Sequence, residues 1–191
     1  MKKWFAYGGI AASLVLVAFG GGAIVIGATG LSDVRDEIAA QRITATDDAA
    51  ELTGGKLQPG QAIDTGAEAR AFADVMEHHT LESTEGKRYA EMGRFLTPDG
   101  SDTNDEALAA KTDDGRPVEN GLRNMWVTET ALTTALNTAF FAERVALFSI
   151  VMGVALLLTG IGFLVLTLGG ALGLVSLPRR VTRADTASVA I

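Results

Sequence analysis

The chain has 191 residues, a formal net charge of −7, no cysteine, and almost half of its residues apolar. That length holds one modest domain beside any membrane segments. The missing cysteine excludes disulfides, thiol catalysis, Cys-ligated iron–sulfur clusters and a lipid anchor on Cys, and the acidic balance argues against nucleic acid as a partner, which needs a basic footprint.

The apolar residues are gathered at the two ends. Trp4 to Ser32 carries no charge, and neither does Val145 to Leu177. A spanning helix needs about 20 apolar residues, and each stretch supplies more. Residues 31–144 carry 22 acidic and 11 basic side chains, a local balance of −11. Lys2 and Lys3 precede the first apolar stretch, and Arg179, Arg180 and Arg183 follow the second. Lys and Arg beside a span are retained in the cytoplasm, so both ends are expected inside and the acidic segment outside. The division expected is residues 1–30 as N-terminus and first span, 31–144 as an acidic helical extracytoplasmic domain, 145–177 as second span, and 178–191 as a basic cytoplasmic tail. The first span is read as a retained anchor. A cleaved signal peptide has an apolar core of about 7–15 residues, roughly half the uncharged stretch present.

Along the chain, Trp4 and Tyr7 sit where interfacial aromatics belong. The first helix is glycine-rich and continues past Leu31, with Val34 and Ile38 on an apolar face, to about Thr44. Gly54-Gly55 and Pro59-Gly60 mark a loop. Thr65 with Glu68 fits a capping box that opens the next helix, on which Phe72, Val75, Met76 and His79 fall at helical spacing on one apolar face. That helix breaks near Ser83–Gly86. A short helix over 87–95 follows, with Tyr89, Met92 and Phe95 inward. Residues 97–121 are acidic and lack aromatics, so they read as a flexible insertion, with a brief helix over 106–111. From Asn120 no breaker intervenes, and one helix is expected through the second span to about Val175. Trp126 and Leu122 are expected in a core shared with the 65–95 helices. Glu143-Arg144 reads as the outer boundary of the membrane.

Small residues form a seam on each long helix. On the second they are Ala139, Ala142, Ala146, Ser149, Gly153, Gly160 and Thr167; on the first, Ala6, Gly9, Ser13, Gly20 and Gly27. Steps of three, four and seven are the spacing of a closely packed, left-handed helix pair. The short intervening domain makes the pair antiparallel. The same seam could bind a neighbouring subunit.

Motifs for chemistry are weak. Asp74, His78 and Glu82 form an i, i+4, i+8 row of metal-ligand types, but no further His or Cys completes a zinc site. His79 reads as a core histidine. The oxygen-rich run 99–106 departs from the calcium-loop pattern and lacks its central glycine. Gly55-Lys56 and Gly86-Lys87 read as turns, since neither has the glycine that a phosphate loop requires. Neither span contains an ionisable residue, whereas ion and proton pathways normally need one.

Several residues carry a resemblance. They are Arg42-Ile43-Thr44 with Asp47-Asp48; Ala73-Asp74-Val75, then His79, Leu81 and Glu82; Thr84, Gly86, Lys87, Tyr89-Ala90-Glu91 and Arg94; and Ala131-Leu132 to Phe141. With these the chain resembles a family of small actinobacterial two-span membrane proteins, many of which carry the name aromatic ring-opening dioxygenase. The likeness covers most of the chain and leaves 97–121 as an insertion. It implies two spans and an exported helical domain, without an established activity. Ring-opening dioxygenases hold non-haem iron by two His and one carboxylate. Adjacent histidines on one helix project about 100° apart, so His78 and His79 do not both face one iron, and no enzyme activity or cofactor is expected.

The sequence thus predicts an all-α membrane protein: an antiparallel hairpin of two transmembrane helices, extended as a stalk and capped by a small helical domain. The leading expectation is an accessory or interaction protein. Its partners would be the bilayer and a membrane or envelope protein, or a second copy, met through the seam and through the exposed part of the 65–95 helices, including Tyr89. The alternatives are a metal-dependent enzyme or binder using Asp74, His78 and Glu82, and a self-assembling channel.

Overall fold

A computed structural model describes residues 2–171. Arg179, Arg180, Arg183, the end of the second apolar stretch and the tail 178–191 lie outside the described residues, as do the side chains of Lys2 and Lys3. Helices dominate. In order they are α1 (Lys2–Ala40), α2 (Ala49–Leu52), α3 (Gly66–Ser83) and α4 (Gly121–Ala171). Between α3 and α4 lie a 3₁₀ turn (Tyr89–Glu91) and a two-stranded antiparallel sheet, β1 (Phe95–Leu96) with β2 (Asp102–Thr103). The chain divides into two compact units: Met1–Val25 with Ile150–Ile191, and Ile26–Ser149. α1 and α4 contribute to both.

In the first unit the two helices pack antiparallel, because low numbers on α1 meet high numbers on α4. A side chain on Gly9 would strike Thr167, one on Gly160 would strike Leu16 and Val17, and one on Gly20 would come within 2.6 Å of the Leu157 amide. One on Gly153 would come within 2.8 Å of both the Gly20 carbonyl and Ile24. Only glycine admits backbones this near. Gly8, Gly21, Gly22 and Gly162 face open space, so the close approach follows one stripe of each helix. Ser13, fully buried, satisfies its hydroxyl by donating to the Gly9 carbonyl at 2.7 Å. Both α1 and α4 are long and apolar enough to cross a membrane, and only 11% of the most apolar eighteen-residue window of each is buried.

In the second unit α1 and α4 pack on each other again: a side chain on Gly30 would come into contact with Ala146, and Arg35 is bonded to Glu143. α1 ends at Ala40, four residues before the expected Thr44. Thr44 instead bridges to Ala62, and Ala45 and Ile63 donate to the carbonyls of Gln61 and Ile43. Those bonds close residues 41–65 into a folded loop that contains α2, an element too short to have been anticipated. Its glycines turn as read: Gly54, Gly55 and Gly60 have φ of 62°, 83° and 71°. Thr65 and Glu68 form both halves of the capping box that starts α3. The core gathers Ile38, Leu57, Ile63, Val75, Leu136 and the alanines of α3. Leu57, Ile63 and Val75 are at most 1% exposed, each worth about 1.5–3 kcal/mol of apolar burial.

The segment after α3 departs from the sequence reading in several places. The expected helix over 87–95 is a 3₁₀ turn followed by a strand. Met92 and Phe95 are buried, while Tyr89 is 41% exposed. The expected insertion 97–121 has a defined hydrogen-bonded form. Two copies of one turn, Thr97-Pro98-Asp99-Gly100 and Thr112-Asp113-Asp114-Gly115, each place the threonine hydroxyl on the aspartate two residues on. Each ends on a glycine at positive φ. Phe95 pairs with Glu119 and Lys111 with Pro117, and Ala109 is buried. Residues 106–111 make a turn, not a helix. Asn120, 4% exposed, donates to the Gly93 carbonyl and accepts from the Leu122 amide, so it starts α4. Trp126 is buried as expected and donates to the Lys87 carbonyl, but Leu122 is 44% exposed.

Candidate docking surface on the acidic domain

Three features of the unit 26–149 bear on function: a buried ion pair that locks its helices, an apolar groove, and an aromatic–arginine patch. The ion pair lies at Glu143. This carboxylate, only 6% exposed, accepts from Arg35 Nε at 2.8 Å and Nη2 at 2.6 Å through one oxygen. Its other oxygen accepts from the Gly66 amide at 2.6 Å. Gly66 is the first residue of α3, where backbone amides are unpaired and a negative charge is favoured. Glu143 therefore ties α1, α3 and α4 at one point. Position 66 has to be glycine, since a Cβ there would strike Glu143 and the Phe140 backbone. Glu143, read from sequence as a boundary charge, is a structural centre of the domain. Only its apolar neighbours and its isolation from other acids hinted at burial. Arg70 adds a second α3-to-α4 bond at Asn137, 2.9 Å.

The groove runs between α1 and α4, with α3 at one end, and encloses about 920 Å³. Val34 and Ile38 form one wall. Leu132, Ala135, Ala139 and Ala142 line the floor along α4, and Phe72 and Met76 close it. Its volume lies at the upper end of the range of ligand pockets. The rim is acidic. Asp33 and Glu37, one turn apart on α1, are both exposed, and Arg35 between them is drawn away to Glu143. Val34, expected on an apolar face, and Ala139 and Ala142, expected in the seam, are only half buried and serve a surface as well.

The patch lies around Tyr89. The Arg123 guanidinium sits 3.8 Å above its ring, and Arg88 stands 5.7 Å from the Trp126 ring while pairing with Glu77 at 2.9 Å. A shallow pocket of about 450 Å³ adjoins it, between Tyr89, Trp126 and Thr130.

Asp74, His78 and Glu82 are all exposed on α3, and Asp74 pairs with Arg70 at 3.4 Å. Among the described residues no group of three or more His, Cys, Asp or Glu is placed to hold a metal ion. His79 is not a core histidine. Its Nε2 lies 2.7 Å from Asp48, which ties α3 to the start of α2, and its side chain is 37% exposed. Hydrogen bonds from Thr46 first, and then from His79, hold the Asp48 carboxyl below its usual range. The oxygen-rich run 99–106 spends its side chains locally. Asp99 is lowered to about 2 by hydrogen bonds from Thr97 and Ser101, and Asp102 and Asn104 accept from the Gly93 and Arg94 amides.

Seam residues Gly20, Gly153 and Gly160 are buried against the opposite helix, as are Ser13, Gly27 and Ala146 within their own units, while Gly9 and Ser149 are half buried. No family model, curated protein or solved structure matches the chain.

Proposed function

We propose that the chain is an integral membrane accessory protein, in which a hairpin of two spans presents a small acidic domain outside the cell membrane to a partner in a larger assembly. The observation that carries this reading is the uncovered apolar surface of α1 and α4. A core helix of a soluble protein is covered by its own fold, yet here only 11% of each most apolar window is buried. Such a surface needs lipid or another protein over it. The charge partition supports the orientation, with both termini cytoplasmic and the −11 segment outside.

The acidic unit supports an interaction role rather than a catalytic one. Among its buried polar groups, Glu143, Asn120 and Thr84 are spent on holding backbone or helices in place. Extraction from native membranes in mild detergent, followed by crosslinking mass spectrometry on a tagged copy, tests the proposal. One stoichiometric membrane or envelope partner is the expected result. Crosslinks only between copies of this chain would refute an accessory role.

A further inference from the structure

We propose that the groove between α1 and α4 seats a single helix of the partner, apolar along one stripe and carrying Lys or Arg where it passes Asp33 and Glu37. This rests on the accessory reading and specifies where and how the partner is met.

Three observations choose that occupant. The first is shape. Two antiparallel helices line the groove, which follows α4 from Leu132 to Ala142, about 15 Å or nearly three helical turns. Leu132, Ala135, Ala139 and Ala142 recur at steps of three and four, the spacing that receives side chains of a neighbouring helix. The three alanines let its axis come near. The second is charge. Asp33 and Glu37 are like charges at i, i+4, an arrangement that is unfavourable in isolation. Among the described residues neither has a cation within ion-pair distance, and Glu37 is bonded only by Gln41 at 3.2 Å. A cation lying across both would relieve the repulsion. The third is exclusion. A second copy would bring another −11 domain against this rim, and an anionic lipid headgroup would meet the same two carboxylates. A basic, apolar helix satisfies floor and rim together, which is helix-in-groove recognition.

The test uses the full-length chain in its native membrane with a photoreactive benzoylphenylalanine at Leu132, on the groove floor and 49% exposed, and a control probe at Leu108, exposed and outside the groove. Irradiation followed by peptide mapping should join Leu132, and not Leu108, to one segment of another protein with apolar residues at helical spacing and at least one Lys or Arg beside them. Asp33→Lys with Glu37→Lys should lower the yield at least tenfold. Changing the captured Lys or Arg to Glu should restore it. Asp33→Asn with Glu37→Gln, which conserves shape, should give an intermediate loss and guards against misfolding. Crosslinks to lipid, to a second copy or to nothing would overturn the inference, as would a yield indifferent to charge reversal. A stoichiometric partner retained in the mild extract while Leu132 stays silent would overturn the groove and leave the accessory reading standing; no partner in the extract would overturn that reading itself.

Discussion

Replacing Arg35 by alanine should destabilise the acidic domain about as much as replacing Glu143, although Arg35 is half exposed and Glu143 is buried. The reason lies in what each substitution leaves behind. Arg35→Ala strands a carboxylate that is 6% exposed with one amide for company. Breaking a buried pair in this way costs roughly 3–5 kcal/mol. Water can reach the open side where Arg35 stood, 46% exposed, so about 2–3 kcal/mol is expected after that screening. Glu143→Ala frees an arginine that solvent can satisfy but unpairs the buried Gly66 amide, for about 2 kcal/mol. The double variant leaves no stranded charge and only the unpaired amide, so it should also cost about 2 kcal/mol. Independent effects would sum to roughly twice that. Glu143→Gln, which keeps an acceptor for Gly66, should cost about 1 kcal/mol. Urea unfolding of the full chain in lipid nanodiscs reads these values through Trp126. A Trp4→Phe background removes the only other tryptophan. A double variant as unstable as the sum of the singles, or an Arg35→Ala protein within about 0.5 kcal/mol of wild type, would refute the three-helix junction.

Other outcomes follow from the same geometry. Thr65→Ala removes the cap of α3 and should cost about 1 kcal/mol in the same unfolding assay. Gly20→Val should lower the thermal midpoint of the helical signal in nanodiscs, because its Cβ meets the Leu157 amide and Gly153 carbonyl; Gly21→Val, facing open space, should not. Asp99 has a carboxyl depressed from 3.8 to about 2 by Thr97 and Ser101. Because the folded value is the lower one, its contribution is complete above pH 3.8 and is lost as pH falls toward 2. Amide exchange at Ser101 should therefore quicken across that window once intrinsic rates are divided out, and Asp99→Asn should abolish the step. His79→Ala should loosen the Asp48 tie, with faster exchange at the start of α2, while His78→Ala should leave both folding and partner capture unchanged.

The helices were legible because their signals are local. An unbroken apolar run, a threonine three residues before a glutamate, and glycines recurring at heptad spacing each act within one or two turns. The close approaches at Gly20, Gly153 and Gly160 lie on the stripes that this spacing marks. The junction was hidden because its members are 35, 66 and 143, and nothing in a sequence brings them together. Glu143 and Arg144 immediately precede the uncharged run that begins at Val145, which is also how a membrane boundary looks. His79 misled for a related reason: helical spacing puts it on the apolar face of α3, but its partner Asp48 lies in the preceding loop.

The 97–121 segment was misread through composition. Polar, acidic residues without aromatics normally lack the apolar surface to fold. Here the order comes from side chain-to-backbone bonds. Thr-x-Asp-Gly occurs at both 97 and 112, and in each the threonine and aspartate rebuild a turn that glycine completes. That repeat was readable from the sequence, and Thr46 with Asp48 uses the same pairing. The groove was not readable: Ala139 and Ala142 fit an internal seam equally well, and only the packing of α1, α3 and α4 leaves them on a surface.

The account depends most on the acidic domain lying outside a membrane that both α1 and α4 cross. The chain has no native cysteine, so single-cysteine variants Ala107→Cys and Ser188→Cys, treated in intact cells with a membrane-impermeant maleimide, test this directly. Labelling at 107 without permeabilisation, and at 188 only after it, is the predicted result. Labelling at 188 in intact cells, or none at 107 until the cells are opened, would contradict it.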